Sequence, residues 1–110
     1  MENINYDEFK KLDIRVGEII AAEEIPGADR LYKLKVNIGS DERELVAGIK
    51  AFYAIDSLIG RKIVVLTNLE PKVIRGVQSH GMLLAAAIPD KSDLAILTIE
   101  KGMPSGTPVS

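Results

Sequence analysis

Cysteine is absent from the 110 residues, which excludes disulfide bonds and thiolate chemistry and fits a reducing compartment. Histidine occurs once, as His80. Catalysis needs a nucleophile with a base, a carboxylate pair, or metal ligands. His80 does not serve as base to Ser79, because adjacent residues in an extended loop point apart. Glu70 is the one carboxylate near His80 in sequence, too few for a metal centre. The run Gly76-Val77-Gln78-Ser79-His80-Gly81 lacks the lysine that follows the second glycine of a nucleotide phosphate loop. No catalytic residue, metal or cofactor is therefore expected. No apolar run approaches the ~20 residues of a membrane span. Met1-Glu2-Asn3-Ile4-Asn5 lacks the basic start and apolar stretch of a signal peptide. The expectation is a cytoplasmic binding protein with no membrane partner.

The composition, 46% hydrophobic and 27% charged, is that of a globular chain. Its length makes one domain, residues 1–110, the natural count. The net charge of −2 hides an uneven distribution. Residues 1–29 carry −5, residues 30–82 carry +4, and residues 83–110 carry −1. A basic middle is what a polyanion site needs, and it is equally what a solvated face looks like. Lys91 falls outside it.

Residues 5–12 read as a short helix, with Asn5 as N-cap, Asp7 and Glu8 in the first turn, and Lys10 and Lys11 in the last. Phe9 and Leu12, three apart, are placed to pin it to the core. Residues 13–25 read as a long first strand, with Gly17 marking a bulge or bend. Pro26 to Asp29 turns the chain. Residues 31–38 give the cleanest alternation: Tyr32, Leu34, Val36 and Ile38 face one way, Lys33, Lys35 and Asn37 the other. The two lysines then stand about 7 Å apart, a spacing compatible with successive phosphates or simply with a solubilised outer face. A return strand runs from Glu42 to Lys50. One or two helical turns fall within 53–60, closed by Gly60. Arg61–Leu69 is a strand, Met82–Ile88 an all-apolar and therefore buried one, and Leu94–Glu100 the last, before an irregular Gly/Pro tail.

Strand, strand, strand, helix, strand, strand is the order of an oligonucleotide-binding (OB) barrel. The fold class expected is all-β: a five-stranded OB barrel with a short helix between strands 3 and 4 and an N-terminal helical turn. By pattern alone, the runner-up is another small β-barrel of the SH3-like kind.

Between the two apolar strands lies the stretch Asn68 to Met82. It holds Asn68, Lys72, Arg75, Gln78, Ser79 and His80, punctuated by Pro71, Gly76 and Gly81. Cations, hydroxyls and amides on a loop between strands suit contact with a phosphodiester backbone, and they also suit an ordinary polar hairpin.

Four segments together carry a resemblance: Lys11–Gly17, Pro26–Leu34, Val46–Lys50, and Asn68–Ala86 with its core Gly-Val-Gln-Ser-His-Gly-Met-Leu-Leu-Ala-Ala. In this collinear order the chain resembles the tRNA-binding domain family, which includes the C-terminal domain of methionyl-tRNA synthetase and freestanding homologues. The resemblance implies an OB barrel that binds tRNA by shape and backbone, without strict sequence specificity. It implies a homodimer, and an affinity module for the catalytic part of methionyl-tRNA synthetase, in cis or in trans. It implies RNA contacts at Lys33, Lys50, Asn68, Lys72, Arg75, Ser79 and Met82; strand parity adds Lys35. Two departures stand out: Ile25 where the family often has histidine, and His80 where it often has glutamine. One branch of the family resembles a secretion-related chaperone that binds peptides, which is the second reading.

Overall fold

A computed structural model describes all residues, 1–110. The chain forms α1 (Tyr6–Phe9), β1 (Ile14–Glu24), β2 (Tyr32–Asn37), β3 (Glu42–Ala47), α2 (Ile55–Leu58), β4 (Lys62–Leu66), β5 (Lys72–Ile74), β6 (Val77–Ser79), β7 (Met82–Leu83), β8 (Ala85–Ala87), β9 (Leu94–Ile96) and β10 (Pro108–Val109). The main sheet is antiparallel in the order β3-β2-β1-β4-β7, with β10 added to β1. The curl is completed between its two ends. The amide of Val46 on β3 donates to Ser79 Oγ at 3.0 Å, and the His80 amide donates to the Glu44 carbonyl at 2.9 Å. The result is a nearly closed five-stranded OB-like barrel with α2 between the third and fourth strands, as the element order predicts.

β1 serves both halves of this barrel. Its first half, Ile14 to Glu18, pairs with β4 on one edge, and Ile14 and Arg15 take β10 on the other. From Glu18 to Glu24 that second edge belongs to β2. The bend falls where the β1–β2 register shifts, between Ile19 and Ala21, and not at Gly17. Val16 and Ile19 lie on the same side of this shift and face opposite ways: Ile19 joins the core cluster, while Val16, opposite Val64, is buried on the other face of β1, where the 106–107 backbone bonds to it. Gly17 is there for closeness instead. A Cβ on it would meet Val36 Cγ1 at 2.7 Å, with Asn37 O and Val65 Cγ2 both at 3.3 Å.

The core follows from the β2 alternation. Tyr32, Leu34, Val36 and Ile38 are buried with Ile19, Leu45, Ile49, Ile63 and Val65, and Leu58 of α2 plugs one end. Polar ends are satisfied inside: Tyr32 Oη donates to the Tyr53 carbonyl at 2.8 Å, and Tyr53 Oη accepts from the Ile96 amide at 3.1 Å. No helix is long and apolar enough to cross a membrane.

Three expectations are corrected. Asn5 caps α1 through its side chain, accepting from the Glu8 amide at 2.8 Å, but α1 buries no residue and Leu12 is exposed. One helical turn presents too little area to dock. The Met82–Ile88 run is not one buried strand: it breaks at Leu84, the first part pairing with β4 and the second with β9. Met82 and Ile88 are consequently about half exposed, at 46% and 50%. The last strand ends at Ile96, and the tail expected to be irregular regains order as β10.

Gly17→Ala is expected to destabilise the domain by about 1–3 kcal/mol, since a methyl group there forces Val36 or the β1 backbone to shift. Urea denaturation measures it; an unchanged midpoint refutes the close-packing account of Gly17.

Candidate nucleic-acid interface

The stretch Asn68–Met82 is built as a small hairpin clamped at both ends. At its entry Asn68 Oδ1 accepts from the Asp13 amide at 2.9 Å and Asn68 Nδ2 donates to the Lys11 carbonyl at 2.6 Å. Arg43 adds a bond to the Thr67 carbonyl at 2.9 Å. At its exit Ser79 and His80 bind β3 as described. Between the clamps β5 and β6 pair in the register Lys72↔Ser79, Val73↔Gln78, Ile74↔Val77. The two-residue tip is Arg75-Gly76, with φ of +52° and +78°. Positive φ at both central residues is the turn that matches strand twist, and Asn-Gly is its usual sequence. Here an arginine takes the first place and glycine makes the second comfortable.

Lys72 and Arg75 are both exposed, and neither forms an ion pair within the chain. Val73, on the opposite hairpin face, is 70% exposed. The β3 bonds also give the hairpin a direction. His80 stands level with Glu44 and Ser79 with Val46, so the chain from Ser79 back to Arg75 runs the way β3 runs toward Lys50. At that end of the barrel the Lys50 amide donates to the Arg30 carbonyl at 3.3 Å.

The lysines of β2 are in a different state. Lys33 Nζ lies 3.2 Å from Glu23 of β1 and 2.9 Å from Glu44 of β3. Lys35 lies 3.6 Å from Glu42, and Lys50 lies 2.7 Å from Glu24. Glu44, then Glu23, holds the Lys33 ammonium above its ordinary pKa, and Glu24 does the same for Lys50. These side chains and the small floor of Ala21 and Ala22 make a shallow groove with more carboxylates than amines. Surface pairs of this kind add little stability, but they neutralise the strand face on which free cations were expected.

The expected residues therefore fall into three groups. Lys72 and Arg75 are free cations on the hairpin, with Met82 exposed at its foot on β7. Lys33, Lys35 and Lys50 are paired cations on or beyond β2 and β3. Asn68 and Ser79 spend their side chains on backbone groups that hold the hairpin. Ile25 is a buried core residue, which accounts for an apolar side chain where a histidine is common. Arg30, in the turn after β1, was not singled out, and Lys91, which the charge distribution leaves outside the basic middle as a control position, lies at the tip of the β8–β9 hairpin. Lys91 has φ of +64° and, with Arg75, is one of only two non-glycine residues at positive φ. No residue pattern marks a lysine for that conformation.

The sequence model of the family described as "Putative tRNA binding domain" matches residues 14–108. A methionine–tRNA ligase of Thermococcus kodakarensis is 49% identical over 96% of this chain, and the chain spans only 14% of that protein's length. Among solved structures, a MetRS-related protein from Pyrococcus horikoshii superposes with a TM-score of 0.93 at 35% identity, covering 100% of both chains. The chaperone CsaA from Bacillus anthracis superposes with a TM-score of 0.89 at 30% identity, covering 99% of this chain and 100% of its own. A match that runs from the start of β1 into β10, carried by relatives with the same barrel, places this chain in the tRNA-binding domain family.

Proposed function

We propose that this domain binds tRNA by shape and backbone, without strict sequence specificity, as a C-terminal or trans-acting affinity module for methionyl-tRNA synthetase in the cytoplasm. The observation that carries the reading is the clamped hairpin, which projects Lys72 and Arg75 as unpaired cations from a rigid base. Arginine at the tip offers a planar fork to two phosphate oxygens, which a lysine does not match. Met82 supplies an apolar contact for a base or sugar beside them. Asn68 and Ser79 contribute by holding the hairpin, and Lys33, Lys35 and Lys50 by exchanging a carboxylate for a phosphate. Aminoacylation would belong to other parts of a synthetase, since the family model describes a binding domain.

The second reading is a peptide-binding chaperone, favoured by the likeness to CsaA and by the exposed Leu69, Val73 and Met82. Filter binding with folded tRNA, duplex DNA and unstructured RNA separates the two. Tight retention of tRNA alone supports the first. Equal or absent retention of all three, with suppressed aggregation of an unfolded client, supports the second.

Arg75→Ala and Lys72→Ala are each expected to weaken tRNA binding by about 1–3 kcal/mol, the scale of a charge-assisted hydrogen bond. Each also flattens the log-affinity against log-salt slope by about 0.7–0.9, one phosphate of released counterions. Lys91 lies outside the basic middle, but its place at a hairpin tip makes it a poor control, so Lys101→Ala, in the tail, serves instead. Wild-type affinity and slope in both folded hairpin variants would move the interface elsewhere.

The double variant Glu23→Gln, Glu44→Gln has the opposite expected effect. It frees Lys33 and removes two repulsive charges, so tRNA binds roughly three- to tenfold tighter at low salt. Retention of duplex DNA rises as well, because the freed lysine does not discriminate. Unchanged affinity for both would mean that the strand face lies outside the RNA footprint.

A homodimer also belongs to this proposal. Ile88, Leu97 and Met103 are exposed apolar side chains on the C-terminal part of the chain, with Ile4 and Leu12 on the N-terminal part. A two-fold pair would cover such patches and fix two RNA surfaces relative to each other. Sedimentation equilibrium at micromolar concentration should return twice the 12.0 kDa chain mass, and a monomer there refutes the dimer.

A further inference from the structure

A groove of about 630 Å³ opens at the end of the barrel toward which the hairpin points. The turn after β1, the segment following β3 and the β8–β9 hairpin tip enclose it. Leu31 and Phe52 are half-buried in its wall, and Arg30, Lys91, Asp90 and Asp93 line it as well. Its size is within the ordinary range for small-molecule sites, and its lining is half hydrophobic, including one aromatic ring, with four charged side chains.

The charges are specific in arrangement. Neither Arg30 nor Lys91 has a carboxylate partner. Asp90 Oδ1 accepts from the Ser92 amide at 2.9 Å, and the Ser92 side chain also engages this carboxylate; Asp93 Oδ1 accepts from the Leu94 amide at 2.8 Å, and its other oxygen is left over. The Ser92 side chain and amide hold the Asp90 carboxyl below its usual pKa. With two cations and two anions, the lining does not favour a continuous track of phosphates. It suits a single nucleotide: ring on ring, one phosphate, and an amine facing a carboxylate. The backbone adds a further observation. The Lys91 amide donates to the Ile88 carbonyl at 2.8 Å, and the Ile88 amide donates to the Asp93 carbonyl at 3.0 Å, so the tip is a tight turn that needs a left-handed residue. Glycine or asparagine does this comfortably, and lysine does not.

The geometry points to a nucleotide site: the groove takes one unpaired nucleotide whose base carries an exocyclic amine, stacked on Phe52, with its phosphate on Arg30 and Lys91 and its amine on the free oxygen of Asp93. Splayed, unpaired bases held in this way are a common means of recognising RNA. The inference rests on the tRNA-binding reading only for its claim that the nucleotide belongs to a bound tRNA.

Titrating the isotope-labelled chain with GMP, CMP and UMP tests it without tRNA. GMP or CMP should shift the amides of Arg30, Phe52 and Lys91 with affinity on the order of millimolar, and UMP roughly fivefold less tightly. Lys91→Gly relieves the backbone strain, so its Tm should rise while its affinity for GMP and for tRNA falls about fivefold. Phe52→Leu, which keeps an apolar wall, should lose GMP binding. The inference is overturned if none of the mononucleotides shifts the groove, if the shifts map to β2, or if Lys91→Gly binds GMP as well as wild type does. It is also overturned if an unfolded peptide shifts the groove and nucleotides do not. If GMP binds there and wild-type tRNA is not retained, the nucleotide site stands and the tRNA reading fails; if tRNA is retained and GMP leaves the groove unshifted, the reverse holds.

Discussion

The double duty of β1 constrains everything else in this fold. A single eleven-residue strand must offer one edge to β4 and divide the other between β10 and β2. It does so by slipping register between Ile19 and Ala21, which rotates its second half relative to its first. That rotation carries β2 and β3 round until β3 meets the segment leaving the β5–β6 hairpin. Ser79 and His80 then close the barrel with two hydrogen bonds. The same two bonds are the exit clamp of the hairpin. Barrel closure and site geometry are thus one set of contacts: whatever loosens β3 from residues 79–80 also releases Lys72 and Arg75.

Charge is distributed on the same principle. Strand pairing brings Glu23, Glu44 and Glu42 beside Lys33 and Lys35, so the sheet face offers no unpaired cation. Cations that leave the sheet, on the turn after β1 and on the two hairpin tips, escape such pairing. A weakly acidic chain can therefore present a positive surface to a polyanion, provided that surface is made of protrusions. A rigid set of protruding cations matches a folded nucleic acid of fixed shape better than a flexible strand, because the spacing of its phosphates is then also fixed.

Much of this was legible in the residues, and the parts that were not share a cause. The β2 alternation announced its own core face, because a half-buried strand has period two and every one of Tyr32, Leu34, Val36 and Ile38 is buried. The strand–helix–strand order announced the barrel, and Asn5 announced its cap. What failed depended on register. Glu23 and Glu44 lie ten and eleven residues from Lys33, and nothing local says that both will reach its ammonium. The run Met82–Ile88 looked buried because seven apolar residues in a row usually are, yet its halves join different sheets and half its side chains remain outside. Gly17 looked like a bulge because strand glycines often are, whereas the β2 side chain opposite requires it. Asn68 and Ser79 were legible as important polar residues, but their bonding to Asp13, Lys11 and Val46 appears only when distant strands are brought together.

Backbone strain bears on which polar residues serve a ligand and which the fold. A solubilising lysine or arginine gains nothing from a left-handed position, since any exposed site with ordinary φ would do as well. Placing a side chain with a Cβ there forgoes about 1 kcal/mol relative to glycine, a noticeable fraction of the roughly 5–15 kcal/mol that holds a domain together. Both non-glycine residues in that conformation, Arg75 and Lys91, are long cations at hairpin tips, and neither has an acidic partner. The buried and bonded polar groups, Thr67 just beyond β4 and Ser79 on β6, have no positive φ: Thr67 donates to the Asp13 carbonyl, and Ser79 closes the barrel against β3. Strain appears where the chain contributes charge to solvent and is absent where it contributes hydrogen bonds to itself. That division separates the cations the tips present to solvent from the polar groups the barrel spends on itself.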